Sequence, residues 1–486
     1  MNNQTNIIQG MFWKFGERIL AQGISFLVSV VLSRILLPSD YGTVALVLIF
    51  INIANVFVTS GFSTALVQNK NASELDFSTN FYCSLALSAV VYGIVFGAAP
   101  YIADFYQMPE LKTILRVFSL RIPISSFSAI QHAYVERNML FKKYFLSTLL
   151  GTIVSGIVGI SMALMNFGVW ALVSQYFTNT IIDIIVLFIT VPWRPHFLFS
   201  LKSAKGMISY GWKILASDLS GTLFDQIRSL LIGKAYSSSD LAYYNKGKQL
   251  PDLISVNVCA TLMTVLFPAI SNVNDNIEEV KKITHKALLL LSYIMFPLLF
   301  GLAGIARPLV KFLYTDKWMN AILYIQILCV ASMINMSSSV SLQVIKALGR
   351  SDVILKMEFI KKPIYLLLLF IGIQKGPLYV AITMAIYNVF ECFMNSISLE
   401  KVGEYSLKNQ VMDVIGHLFM SAIMMLAIFP LSYLKISSFL ILFLQITCGA
   451  LVYIILSIVM KDNAFLYLLK TLTKIIKIRK HEATML

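Results

Sequence analysis

Charge is what this sequence has least of. Asp, Glu, Lys and Arg together make up 13% of its 486 residues, against about 25% in ordinary soluble domains. A water-soluble fold of this length needs a charged skin over its core, so a soluble globule is excluded. Cysteine is also scarce. Cys83, Cys259, Cys329, Cys392 and Cys448 each stand alone in an apolar segment, with no spacing typical of metal or redox motifs. They read as core thiols, and no metal or other cofactor is expected. His196, His285 and His481 fall in joints or the tail and His417 at the start of a span, again without ligand spacing. The chain has no GxxxxGK[ST] loop, which excludes nucleotide hydrolysis by a phosphate-binding loop. Residues 1–10 offer neither a basic stretch nor a small-residue cleavage site before the first apolar run, so the first helix is expected to be an uncleaved span.

What is abundant is apolar surface, at 58% of residues. Each bilayer crossing takes roughly 20 apolar residues. Fourteen apolar stretches can be marked, near 10–37, 41–67, 78–105, 111–136, 144–165, 168–191, 206–233, 249–270, 287–313, 321–346, 357–374, 376–399, 411–431 and 438–460. Breaker chemistry separates them, as at Leu37-Pro38-Ser39-Asp40, Asn166-Phe167-Gly168, Pro192-Trp193-Arg194-Pro195 and Lys375-Gly376-Pro377. The expected fold class is therefore an all-α integral membrane protein. The net charge of +15 does not point to nucleic acid, because the basic residues cluster in short joints. Even-numbered joints and the tail are rich in them (Arg137, Lys142 and Lys143; Lys281, Lys282 and Lys286; Arg350, Lys356, Lys361 and Lys362; Lys470, Lys474 and Lys477), while the odd-numbered joints are poor. By the positive-inside rule both termini lie in the cytoplasm.

A weak repeat runs through the chain. Trp13-Lys14 and Pro38-Ser39-Asp40 are echoed by Trp212-Lys213 and Ser238-Ser239-Asp240. Gly61 to Ala65 is echoed by Leu266 to Ala269, Arg137 with Lys142 by Arg350 with Lys356, and Gly168 by Gly376. The order implies six-helix bundles at 1–200 and 201–400, two further spans at 401–462 and a basic amphipathic tail at 463–486, which reads as an interfacial helix on an anionic leaflet. Six spans per half give both halves one orientation. Parallel repeats of this kind are transporter architecture, with the substrate site expected between the halves and alternating access by rocking.

Charges inside spans are expensive and mark function by default. On the first span Lys14 and Arg18 share an arc with Gln22, Ser25, Ser29 and Ser33, and Glu17 flanks it. On the seventh lie Lys213, Asp218, Asp225 and Arg228; Asp225 and Arg228 are spaced for a local ion pair. Asp218 has no opposite charge one turn away and is the expected carboxylate with a raised pKa. The fourth span aligns Arg121, Ser125, Ser128 and His132, with Pro123 as a kink. The tenth aligns Ser332, Asn335, Ser339, Gln343 and Lys346. The serines read equally as interhelical hydrogen bonds, and Arg121, His132 and Lys346 as headgroup anchors. Lys14, Arg18, Arg121, Lys213, Arg228 and Lys346 outnumber Glu17, Asp218 and Asp225, so the expected chamber is cationic and suits an anionic cargo; the three acids are the candidates for ion coupling.

Leu36-Leu37-Pro38-Ser39-Asp40-Tyr41-Gly42, Gly61-Phe62-Ser63-Thr64-Ala65-Leu66-Val67-Gln68, Leu266-Phe267-Pro268-Ala269-Ile270 and Lys317-Trp318 before Leu328-Cys329-Val330 carry a resemblance to a known family. The chain resembles the Wzx-type polysaccharide exporters, nearest the colanic-acid and teichuronic-acid exporter group, in the MOP superfamily with MATE exporters and the lipid II flippase. The resemblance implies a MATE/MOP-like fold and flipping of undecaprenyl-diphosphate-linked oligosaccharides from the cytoplasmic to the outer leaflet of a bacterial inner membrane. It also implies membrane lipids and polysaccharide polymerase or assembly proteins as partners, and coupling to H+ or Na+. Basic groups on the first, fourth, seventh and tenth spans match Arg18, Arg121, Lys213 and Lys346. Two other readings stand against it. A MATE-like organic-cation exporter would want acids in excess, and a membrane polymerase or ligase would want a larger outer loop, so no enzyme is expected. Reporter fusions at Leu486 and within Ser237–Asp240 are expected to report opposite faces of the membrane; the same face for both rejects the topology.

Overall fold

Every regular element in the described residues is helical, which is what a bilayer demands of a chain that must satisfy its backbone internally. The computed structural model describes residues 2–59, 66, 73–470 and 473, with the side chains of 2–15, 17–19, 59, 208 and 210 outside the described set. The Gly61–Gln68 motif, Leu66 apart, and the tail lysines Lys474 and Lys477 lie outside the described residues. Two compact units are present, Met1–Ala242 and Tyr243–Leu486.

In the first unit the helices are α1 (Asn2–Ile35), α2 (Pro38–Thr59), α3 (Glu74–Tyr106), α4 (Pro109–Ser119), α5 (Arg121–Arg137), α6 (Phe141–Leu164), α7 (Val169–Thr190) and α8 (Leu201–Ala235). In chain order follow α9 (Ser238–Ser271), α10 (Ile277–Tyr314), α11 (Ala321–Ala347), α12 (Ser351–Lys375), α13 (Pro377–Gly403), α14 (Leu407–Ile428) and α15 (Ser438–Val459). Eleven stretches of the described residues are long and apolar enough to cross a membrane, against the fourteen expected. The difference falls on α1, α8 and α12, which at 34, 35 and 25 residues have the length. In α8 and α12 the charges themselves, from Lys213 to Lys234 and from Lys356 to Lys362, lower the apolarity; α1 enters only as the shorter apolar stretch Leu20–Ile35.

The fourth expected span is two helices meeting at Leu120. Pro123 explains the break, because its ring displaces the carbonyl four residues back, and that residue, Ser119, is the last of α4. Helix starts follow the repeat. The backbone N–H of Leu37 donates to Asp40 Oδ2 at 2.9 Å, and that of Ser237 donates to Asp240 Oδ2 at 3.2 Å. The echoed Ser-Asp pairs thus end α1 and α8 with the same local device before α2 and α9 begin. Gly42 is required by close approach: a Cβ there would lie 1.7 Å from the Ser238 carbonyl oxygen.

The stretch 191–200 leaves α7 as extended chain and is fastened to α3. Trp193 packs with Phe77 and Phe81 (ring centroids 5.8 and 6.3 Å) and donates from Nε1 to Glu74 Oε2 at 2.9 Å. The backbone N–H groups of His196 and Ser200 donate to Ser78 Oγ and Thr79 Oγ1, each at 3.1 Å. Backbone donors freed by the end of the helix are thus satisfied by side chains.

In the second unit α11 packs on α13 through amides. Asn388 Nδ2 donates to the Ala331 carbonyl at 2.9 Å and Asn395 Nδ2 to Ser338 Oγ at 2.6 Å. Lys361, expected in a cytoplasmic joint, is instead fully buried within α12, its Nζ 2.7 Å from Glu358 and 3.1 Å from Glu391 of α13. The joint is shorter than the apolar pattern suggested because Ser351 already begins the helix. A lone buried ammonium would be costly, and two carboxylates offset it. Lys361→Met is expected to destabilise by about 3–5 kcal/mol, read as a lower melting temperature in detergent, with recovery when Glu358→Gln and Glu391→Gln are added. Unchanged melting of the single variant refutes the ion trio.

Candidate functional site

Arg121 opens α5 immediately after the helix break, near the middle of the Pro109–Arg137 span. Its Nε donates to Thr180 Oγ1 of α7 at 2.7 Å, and its guanidinium lies 5.4 Å from the Tyr176 ring centroid. Tyr176, Thr180 and Asp183 recur at helical spacing on α7, so one stripe of α7 faces the predicted stripe of α5. Three turns along α5, His132 Nε2 sits 2.9 Å from Asp183 Oδ2, and the His132 ring lies 4.9 Å from that of Tyr144 on α6. Sequence reasoning nominated His132 and passed over its partner. Asp183 stands in the run Ile181-Ile182-Asp183-Ile184-Ile185, and an acid inside so apolar a span was the available signal.

The serines of that stripe bond their own helix. Ser125 Oγ donates to the Ile122 carbonyl at 2.9 Å and Ser128 Oγ to the Ser125 carbonyl at 3.2 Å, so the interhelical bonds expected of them give way to local back-bonding. On α11 the polar stripe is likewise not the packing face. Asn335 and Lys346 are exposed, and Ser339 Oγ donates to the Asn335 carbonyl at 2.9 Å, whereas Ser338 and Ser341 carry the contacts to α13 and to Gln410 of α14.

Of the remaining candidates, the side chains of Lys14, Glu17 and Arg18 lie outside the described residues. On α8 Lys213, Asp218 and Asp225 are exposed, and Arg228 is buried at 8% exposure. The structure brings Arg121 and His132 into one arrangement with α7.

A second polar network lies at one end of α10, α14 and α15. His285, expected in a joint, is inside α10, because Asn276 caps the helix eleven residues before the apolar run begins. Its Nδ1 is 2.7 Å from Asp413 Oδ1, and the Tyr405 hydroxyl donates to the other oxygen of Asp413. One turn on, His417 Nδ1 lies 2.7 Å from Ser292 Oγ and its Nε2 2.9 Å from Asp462 Oδ2. Beyond it, α10, α14 and α15 enclose with α9 a cavity of about 510 Å³ walled by Leu298, Leu302, Ile305, Met424, Ile428 and Ile454 among others.

Comparison with known proteins gives the family and the fold. Residues 31–323 match the family described as polysaccharide biosynthesis protein. The succinoglycan biosynthesis transport protein ExoT of Rhizobium meliloti (strain 1021) is 22% identical, over 72% of this chain and 71% of its own. The lipopolysaccharide biosynthesis protein WzxC of Escherichia coli (strain K12) is also 22% identical, over 77% and 76%. The solved structure of the lipid II flippase MurJ in an inward closed conformation superposes with a TM-score of 0.73 at 18% identity, covering 94% of this chain and 99% of its own. At that identity the likeness is one of fold.

Asp462 lies beyond the end of α15. Burial pushes its carboxyl up, but the hydrogen bond from His417 and the backbone N–H groups of Phe465 and Ala464 outweigh burial and hold it below the usual carboxylate range. A lowered folded-state pKa contributes stability above the unfolded value and loses it as pH falls through the folded one. Asp462→Ala is therefore expected to cost about 1–3 kcal/mol at neutral pH and less in acid, measured as melting temperature against pH in detergent. A deficit that stays constant with pH contradicts this.

Proposed function

The chain belongs to the polysaccharide biosynthesis protein family, and on that premise we propose that it flips undecaprenyl-diphosphate-linked oligosaccharide units. The units move from the cytoplasmic to the outer leaflet of a bacterial inner membrane, and they feed a capsule, exopolysaccharide or O-antigen. The observation that carries this reading is Arg121, a guanidinium in mid-span whose hydrogen-bond partner is a neutral hydroxyl. A cation so placed keeps its charge for an anionic cargo. An isolated charge crossing hydrocarbon costs tens of kcal/mol in the Born limit; a wet cationic chamber removes most of that barrier for a diphosphate. The apolar cavity walled by Leu298 and Ile454 offers a prenyl chain a surface it need not leave.

On this reading Lys14, Arg18, Lys213, Arg228 and Lys346 share the cationic role, in two six-helix bundles at 1–200 and 201–400 with spans 401–462 added. Both termini are cytoplasmic, and an H+ or Na+ gradient drives the cycle, with Glu17, Asp218 and Asp225 as ion-coupling candidates. Polysaccharide polymerase and assembly proteins receive the product.

Deleting the gene is expected to leave lipid-linked repeat units on the cytoplasmic leaflet and to stop surface polysaccharide, with drug tolerance unchanged. Arg121→Ala or Lys213→Ala is expected to abolish export while the protein inserts at normal levels. Arg121→Lys should retain part of the activity, since lysine supplies the charge without the planar fork. Intact polysaccharide together with sensitivity to organic cations refutes the flippase reading and points to cation export.

A further inference from the structure

Between α7 and α8 the chain turns apolar side chains outward, where a joint in water would turn polar ones. Phe197 is 98% exposed, more than any other large apolar side chain among the described residues, and Leu198, Phe199 and Leu201 are exposed beside it. The segment is held on both sides. Trp193 is buried against Phe77 and Phe81. At the far end Ser200 caps α8 by accepting from the Ser203 N–H at 3.3 Å, and Ser203 Oγ donates to Asp76. Between these points the Phe197 ring stacks on Tyr82 of α3, with centroids 6.3 Å apart and planes 23° from parallel. Tyr82 stands two turns beyond Glu74, about 12 Å along the helix. The chain thus runs up the flank of α3 from Trp193 to Phe197 and returns to Asp76 at Ser203.

Its backbone is satisfied from within along that path. The N–H groups of His196 and Ser200 go to the hydroxyls of Ser78 and Thr79, both fully buried, and that of Leu198 goes to the His196 carbonyl at 2.8 Å. Hydrocarbon requires this pairing of inward backbone with outward apolar side chains; an aqueous joint requires neither. Charge marks the rim. Arg194, Lys202 and Lys205 are exposed. Arg194 donates to the Val191 and Trp193 carbonyls, neutral acceptors that leave its charge intact. The acids on this side of α3 are already engaged, Glu74 by Trp193 and Asp76 by Ser73, Ser203 and the field of Arg137. A cationic rim around an apolar tip fits an anionic phospholipid, with phosphate at the lysines and acyl chains at the phenylalanines. The tip lies level with Tyr82, inside the Glu74–Tyr106 span, so lipid rather than a soluble protein meets it.

We propose that residues 193–205 form a wedge set into one leaflet, with Phe197 and Phe199 among the acyl chains and Lys202 and Lys205 holding an anionic phospholipid headgroup. α8 begins at Leu201, so the bound lipid fixes the depth of the helix that carries Lys213. Only the choice of leaflet, the cytoplasmic one, rests on the topology proposed above; the wedge and its lipid stand on the geometry of α3 and the segment fastened to it.

A tryptophan at the tip tests both parts on the full chain in lipid nanodiscs. The emission that Phe197→Trp gains over the wild type is expected to be quenched by phospholipid brominated on its acyl chains and not by iodide in the water. Quenching by iodide, or by neither, overturns the wedge. For the headgroup, a minor fraction of brominated phosphatidylglycerol in phosphatidylcholine is compared with the same fraction of brominated phosphatidylcholine. Phosphatidylglycerol is expected to be enriched at the tip at least about fivefold, the factor that one basic group contributes at an anionic surface. Lys202→Gln combined with Lys205→Gln should abolish that excess. Equal quenching by the two lipids, or an excess that survives the double variant, overturns the headgroup site.

Discussion

Hydrocarbon gives a polar group nothing to bind, so each one inside this chain must bring its own partner or face water. That single constraint orders most of what the structure shows. Lys361 survives full burial because carboxylates come from α12 and α13 together. Arg121 survives in mid-span on a threonine hydroxyl and a tyrosine ring, and Asp183 on an imidazole. The same rule governs neutral groups. Hydroxyls along α5 turn back to their own carbonyls, and amides at the contact of α11 with α13 reach across to a carbonyl and a hydroxyl.

The constraint also explains why the span count and the charge map conflict. α8 and α12 carry charges at a density that defeats an apolarity criterion, although each has the length to cross. α8 is also a helix on which the sequence places candidate transport residues, Lys213, Asp218, Asp225 and Arg228. A helix that lines a wet path has to look less like a membrane helix.

Fold class was legible because composition and run length are properties of the chain alone; the family match and WzxC bear out the resemblance to Wzx-type exporters. The Ser-Asp echo was legible as well, since capping is decided within four residues, and Pro123 marked the break between α4 and α5. Pairings between distant segments were not. Spacing could put His132 on a polar stripe, but only the packing of α5 on α7 shows that Asp183 meets it, 51 positions away. Likewise His285 and Lys361 read as loop residues because they stand near basic clusters, whereas capping by Asn276 and the early start of α12 draw them into helices. The stripe on α11 failed for a related reason. Polar periodicity identifies a face and does not say whether a neighbour, lipid or water covers it.

The contrast between Arg121 and Lys361 carries the last step. Both are cations enclosed by helices, and burial costs each of them. Lys361 is offset by formal negative charge, so the trio has no field left to attract a ligand and its role is packing. Arg121 makes its hydrogen bond to a neutral oxygen and stacks on a ring; such contacts meet the desolvation cost without cancelling the charge. Asp183, an acid within the field of Arg121, is hydrogen-bonded to His132. A site that must take up an anion needs a cation whose charge is not already matched. Two carboxylates held against the cation, as around Lys361, would prevent that; a hydroxyl and a ring, as around Arg121, do not.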